Sequence, residues 1–412
     1  MKPSTLFAFT LGTLSAIGGF IDIGDLVADA QVGARFGLRL AWVTVVSVIG
    51  IMCFAEMSGR IALKTQRPAF GLARSRIGPR YALAGLVGAF LVTALLVMAE
   101  LSGVALALEL ASGFHYLLWV PVAAAFVVVV VWTLPFKLMH RIYGVLGLAM
   151  LVYVVAIWKL DPDWSTMWRS TATPAPVPGE TWGAYLFFVV VLIGAQMTPY
   201  EMFFFSSGAV ESRWRPKDLA EMRINVIVGF PLGGLLAIAI QAAAFLVFFD
   251  LGVQVDHISQ TALPVALALG QVGFLLAIVG IFAATFGATL ETLFATGYEI
   301  AQYFGWSYGK VQPPARAARF TTATLALLLI SAALALTTLD PITVTIVAVV
   351  FSAALLPFLF VPVLLTANDR ELMGELVNGR LANAVGSLTI LFSVAVALAA
   401  FPLLVLTRAG VS

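Results

Sequence analysis

The stretch GGFIDIGDLVADAQ, residues 18–31, sets Asp22, Asp25 and Asp29 inside an apolar run, with Gly24 between the first two. In hydrocarbon every backbone group needs an internal partner and every charge is costly, so three acids there require a purpose. The surroundings are uniformly apolar: the chain has 412 residues, 61% hydrophobic and 11% charged, with mean hydropathy +1.02. A soluble domain carries roughly 25% charged residues. Apolar runs of about 20 residues, each able to cross a bilayer core of about 30 Å, recur from end to end. The composition therefore predicts an all-α polytopic membrane protein forming one transmembrane domain over 1–412, with lipid as its surroundings and no nucleic-acid partner. The single cysteine, Cys53, excludes an intrachain disulfide and Cys-pair redox chemistry.

Hydropathy places about eleven spans near 6–33, 38–60, 81–111, 116–136, 141–160, 182–212, 225–249, 264–304, 317–339, 341–366 and 382–406. The basic, then apolar opening has the look of a signal peptide, but with many spans following and no clear cleavage site it reads as span 1. Eighteen of the 23 Lys and Arg fall on the side of the N-terminus and even-numbered loops; Arg35, Arg39, Lys159, Arg169 and Arg408 fall on the other. The positive-inside rule then puts the N-terminus in the cytoplasm and, with an odd span count, the C-terminus outside a cell (inner) membrane.

Two spans are interrupted. Span 1 breaks at DIGD (22–25) and span 6 at GAQMTPYEM (194–202), where Pro199 removes a backbone donor. Either break alone is as well explained by a kink or close packing. Five spans separate them, which suggests two five-helix repeats, about 6–160 and 182–366, and an extra helix at about 382–406. Broken helices at matching positions of two halves point to a midplane transport site, where unwound carbonyls can face a cation.

Asp22 and Asp25 share a helix face and repel one another unless a cation sits between them. Such hard oxygen ligands suit Mg²⁺, Ca²⁺ or Mn²⁺. Asp29 is assigned a capping or pairing role. Glu100, Glu201 and Glu291 lie deep enough for a permeation or proton path, Glu56 is placed to pair with Arg60, and Glu109 and Glu299 sit near span ends in reach of water. His115, His140 and His257 all fall in predicted loops, which leaves no histidine relay within the membrane.

Over nearly its whole length the chain resembles the Nramp (natural resistance-associated macrophage protein) divalent-metal transporters. GFIDIGDLVADAQVGARFGLRLAWV is similar to that family's Asp-Pro-Gly-Asn segment of helix 1, LIGAQMTPYEMFFFSS to its Met-Pro-His segment of helix 6, and LPFLFVPVLLTANDRELMGELVNGRLAN to its helix 10 and following loop. The resemblance implies two inverted five-helix repeats (LeuT-like) with helices 1 and 6 broken around the ion. It implies Asp22 as a metal ligand, Asp25 in place of the asparagine ligand, the Ala195 carbonyl facing the ion and Thr198 in place of the methionine ligand. Gly24, Pro199, Tyr200, Glu201, Glu100 and Met197 would line the pathway or support the ligands.

The departures share a direction. Ile23 replaces a proline, Tyr200 and Phe205 replace histidines, Glu201 replaces an asparagine, Val97 stands for an aspartate, and the run from Ile342 to Pro357 lacks a glutamine. A thioether favours Mn²⁺ and Fe²⁺ over hard ions; a hydroxyl does not, and an added carboxylate favours Mg²⁺. Fewer histidines and one fewer aspartate leave fewer proton carriers. The pattern is similar to the Nramp-related magnesium transporters. It predicts a secondary transporter of divalent cations, Mg²⁺ and/or Mn²⁺, weakly or not proton-coupled, with no permanent cofactor. The alternatives are a proton-coupled Mn²⁺/Fe²⁺ symporter of the main Nramp type and an amino-acid transporter of the same architecture, whose substrate carboxylate Asp22 and Asp25 would repel. No HExxH, CxxC or nucleophile-elbow motif points to an enzyme. Oligomeric state is left open, with a monomer plausible, as is whether Met197 or Glu201 reaches the ion.

Overall fold

The computed structural model describes residues 21–134, 136–309, 312, 314–337 and 339–410. Sixteen α-helices follow in order: α1 (Ile23–Phe36), α2 (Ala41–Thr65), α3 (Ala69–Ile77), α4 (Pro79–Ser112), α5 (Tyr116–Thr133), α6 (Phe136–Gly147), α7 (Val152–Lys159), α8 (Trp164–Thr171), α9 (Trp182–Gln196), α10 (Pro199–Glu211), α11 (Leu219–Ala244), α12 (Leu263–Phe304), α13 (Ala318–Ala335), α14 (Pro341–Ala367), α15 (Arg370–Met373) and α16 (Arg380–Leu406). Among the described residues ten helical segments are long and apolar enough to cross a membrane, and they coincide with spans 2 to 11. The first half of span 1 lies outside the described residues; α1 is its second half. The chain is an all-α membrane protein.

The helices stop where backbone chemistry requires. Thr181, Asp340 and Asp369 cap α9, α14 and α15 with side-chain oxygens, each satisfying an N–H that has no helical partner. Gly113 and Gly305 end α4 and α12 in the left-handed conformation. α12 matches the length of its apolar run but is not one straight helix, because Gly270 (φ 64°, ψ −150°) kinks it. His140 falls inside α6, which begins before the expected span.

The broken elements occupy the centre. α1 packs against α9 and α11, α9 also against α14, and α10 against α2 and α12. From Phe187 to Phe204, across the second break, every residue is buried. α16, by contrast, presents Leu381, Leu398, Val405 and Leu406 outward, each at least 74% exposed, which suits a lipid-facing helix packed on α14. Two close approaches set the spacing. A Cβ on Gly194 would collide with the Val349 carbonyl of α14, and one on Gly33 with the Gln241 carbonyl of α11; only glycine lets these backbones meet.

Ion pairs gather toward the ends of the spans. Arg35 is bidentate to Glu180 and also donates to the Gly410 carbonyl. Glu56 accepts from Arg60, as expected, and from Arg223, while Arg60 also donates to the Leu376 carbonyl and Asn378 Oδ1, both at 2.6 Å.

Candidate metal site

Asp22 is the N-cap of α1. Its Oδ1 accepts from the Asp25 N–H at 2.9 Å, and Asp25 Oδ2 accepts from the Asp22 N–H at 3.3 Å, a reciprocal capping box. This corrects the position of the first break: Ile23, Gly24 and Asp25 form the first turn of α1, so Gly24 is helical and the chain departs from helix at or before Asp22. Gly24 is needed there for space. A Cβ would lie 2.8 Å from Asp22 Oδ1 and 2.9 Å from a Val349 methyl.

The second break is narrower than its motif, confined to Met197 and Thr198 between α9 and α10. Proline explains it. The Ala195 carbonyl would accept from residue 199 in a continuous helix, and Pro199 has no N–H to give. Ala195 therefore keeps an acceptor without a helical partner beside Gly24; its methyl lies 3.6 Å from a Cβ position on that glycine. Thr198, fully buried, is the N-cap of α10, but its hydroxyl caps nothing. It makes no hydrogen bond of normal geometry and lies beside the Glu201 carboxyl.

Three more side chains converge. Glu100 of α4 reaches across to accept from the Ile23 N–H at 3.0 Å, holding a donor that the start of α1 leaves free. Tyr200 donates its hydroxyl toward Asp22 Oδ2 at 3.3 Å. Glu201, 8% exposed, is an electrostatic neighbour of Asp25. Asp25 and Glu201 line a crevice that runs between α2 and α11 past Ile51 and Phe230.

The arrangement is rich in acceptors and poor in donors. Asp25 Oδ1, Glu100 Oε2, Glu201 Oε2 and Thr198 Oγ1 are buried with no hydrogen-bond partner. Among the described residues no arginine or lysine is among the charges felt by Asp22, Asp25, Glu100 or Glu201. Among the described residues no three His, Cys, Asp or Glu side chains stand together as a metal-holding cluster. A cation at this place would be met by a mixed set, two carboxylates with a carbonyl and a hydroxyl, and it would compete with the capping box for Asp22 and Asp25. Burying negative charge without a countercharge is unfavourable in so dry a place, so the unpartnered oxygens suit a cation.

The remaining expectations resolve individually. The Met197 sulfur packs against Gly50 of α2, where a Cβ would lie 3.3 Å from it, so the thioether is committed to packing. Phe205 stacks edge-on against Trp214 and lies over Gly59, and Val97 is buried in the core. Glu291 accepts from the Tyr143 hydroxyl at 3.0 Å. Glu299 corrects the expectation of a wetted span end: it is 2% exposed, with Oε2 unpartnered, in a crevice beside Tyr200 and Thr93. Asp29 pairs, as expected, but with amides: Gln241 at 2.6 Å and Gln196 at 3.1 Å. Gln241 was not legible as a partner, since one polar residue in an apolar span announces no address; only the α1–α11 approach at Gly33 supplies it.

With the geometry in place, comparisons with known proteins are informative. Residues 12–402 match the profile of a family described as natural resistance-associated macrophage protein-like. The chain is 26% identical over 402 residues to the divalent metal cation transporter MntH of Chromohalobacter salexigens, covering 92% of this chain and 88% of that one. With the MntH of Ralstonia nicotianae it shares 27% over 397 residues, covering 89% and 84%. Among solved structures it superposes on a mutant of the Eremococcus coleocola manganese transporter with TM-score 0.70 and 18% identity, covering 98% and 94%. A Na⁺-coupled sialic acid symporter gives 0.63 at 13% identity, over 95% and 89%, a likeness of fold alone.

Proposed function

Since the chain belongs to the natural resistance-associated macrophage protein-like family, we propose that it is a carrier moving divalent metal cations, Mg²⁺ and/or Mn²⁺, across a cell membrane with weak or no proton coupling. The observation that carries this reading is the donor-poor pocket beside the breaks, where buried oxygens of Asp25, Glu100, Glu201 and Thr198 lack partners and, among the described residues, no basic side chain answers them. Asp22, Asp25, the Ala195 carbonyl and Thr198 hold the ion; Glu100 and Tyr200 position Asp22 and the start of α1; Gly24 and Pro199 keep the space and the break open. The N-terminus is cytoplasmic and the C-terminus outside.

Manganese as cargo is supported by the relatives, whose names specify divalent metal cations or manganese. Magnesium is supported by the donor chemistry, since the ligands are all oxygen and the nearby thioether is turned to Gly50. A proton-coupled Mn²⁺/Fe²⁺ symporter is the second reading, favoured by the buried carboxyls Glu100, Glu201 and Glu299.

The deciding experiment is uptake into sealed proteoliposomes, with an internal dye for the metal and another for pH read together. Saturable Mg²⁺ and Mn²⁺ entry with no inward proton current is the expected result. Mn²⁺ entry that acidifies the lumen, with no Mg²⁺ entry, would establish the symporter instead.

A further inference from the structure

One turn along α1 from Asp25 lies a second group of oxygens that the divalent site does not use. Asp29 is fully buried, and its Oδ1 accepts from Gln241 Nε2 at 2.6 Å and Gln196 Nε2 at 3.1 Å. The same two amide nitrogens donate to Thr44 Oγ1, at 2.9 and 3.2 Å. The carboxylate and hydroxyl thereby turn both amides the same way and consume their donors. Left over are Asp29 Oδ2, Gln196 Oε1 and Gln241 Oε1, all buried and without partners. Each amide oxygen sits on the same carbon as a nitrogen that touches Asp29, so covalent geometry keeps it within about 5 Å of that carboxylate. Ser47, on the Thr44 face of α2, adds another buried hydroxyl without a partner.

The accounting is one-sided. Four helices, α1, α2, α9 and α11, present a carboxylate, two amide oxygens and the Ser47 hydroxyl, and among the described residues no ammonium or guanidinium group is among the charges felt by Asp29. Leaving such acceptors dry and unpaired is costly, most of all for the charged one. One negative charge among neutral oxygens matches a monovalent hard cation; a divalent ion would be left half neutralised and would face the charge of a second divalent ion at Asp25. Gln196 also lines the crevice between α2 and α11 that Asp25 and Glu201 line.

We infer that Asp29, Gln196, Gln241 and Thr44, with Ser47 beside them, form a site for a small alkali cation, Na⁺, separate from the divalent site. Its charge lies close enough to Asp25 to couple the two occupancies.

The test uses purified full-length protein in detergent, stripped of divalent ions with a chelator, and therefore stands apart from the divalent reading. Thermal unfolding is followed as NaCl replaces choline chloride at constant ionic strength. The expected result is a saturable rise in Tm with Na⁺, with at least a tenfold higher half-saturating concentration in Asp29→Asn, which keeps a saturable response to Mn²⁺ or Mg²⁺. No Na⁺-dependent rise in the wild-type protein overturns the site whatever the variant does. A Na⁺ response unchanged in Asp29→Asn overturns the assignment to Asp29, and loss of the divalent response in that variant would make Asp29 part of the divalent site.

Discussion

Asp22 does two jobs that a simple truncation would confound. It caps α1 and it faces the paired breaks. Asp22→Ala removes both and costs about 0.5–2 kcal/mol of helix stability through the cap alone. Asp22→Asn keeps a capping oxygen and loses the charge. Uptake of either ion should therefore fall at least tenfold in Asp22→Asn while the melting temperature stays close to that of the wild type; wild-type uptake in that variant removes Asp22 from the ligand set. Thr198 is tested by adding chemistry. Its hydroxyl stands buried and unpartnered where a sulfur would change ion preference, so Thr198→Met should raise the Mn²⁺:Mg²⁺ uptake ratio several-fold. An unchanged ratio in competition uptake would place residue 198 off the ion path.

At the scale of elements, the break in span 6 is a covalent consequence of Pro199. Pro199→Ala restores the N–H that the Ala195 carbonyl lacks, and the expected product is a continuous helix through Met197 and Thr198. That variant should fold, with equal or higher thermal stability, and transport poorly; full transport would show that the break does not depend on proline. Gly194 is the opposite case. A Cβ there strikes the Val349 backbone rather than a movable side chain, so Gly194→Ala should cost about 1–3 kcal/mol through forced separation of α9 and α14. A detergent thermal-shift assay reads it, and an unshifted Tm would mean the two helices part without penalty. The capping box likewise shows why Gly24 need not be unwound to bring Asp22 and Asp25 together: they meet through each other's backbone.

For the whole molecule, the distribution of basic residues makes the orientation testable. An epitope fused after Ser412 should be labelled by impermeant antibody on intact spheroplasts, because eighteen of the 23 Lys and Arg fall on the opposite side. Labelling only after permeabilisation would reverse the topology. The ties on that basic side are also structural: Arg60, 3% exposed, is held by Glu56, Asn378 and the Leu376 carbonyl. On the other side Arg35 joins α1 to Glu180 and to the chain beyond α16.

Spans 2 to 11, the break in span 6 and the buried acids could be read directly from the chain, because hydrocarbon length, proline chemistry and the cost of buried charge are properties of a segment and its solvent. The Glu56–Arg60 pair was legible for the same reason, being one turn apart on one helix. What the segments could not declare was which distant groups face one another. Glu100 on the Ile23 N–H, Gln241 on Asp29, Met197 against Gly50 and the burial of Glu299 all depend on helices far apart in sequence meeting at a particular height and rotation. Those meetings are decided by side-chain volume at the contacts, with Gly33 and Gly194 the clearest cases, because close packing is a property of the assembled bundle and of no single helix.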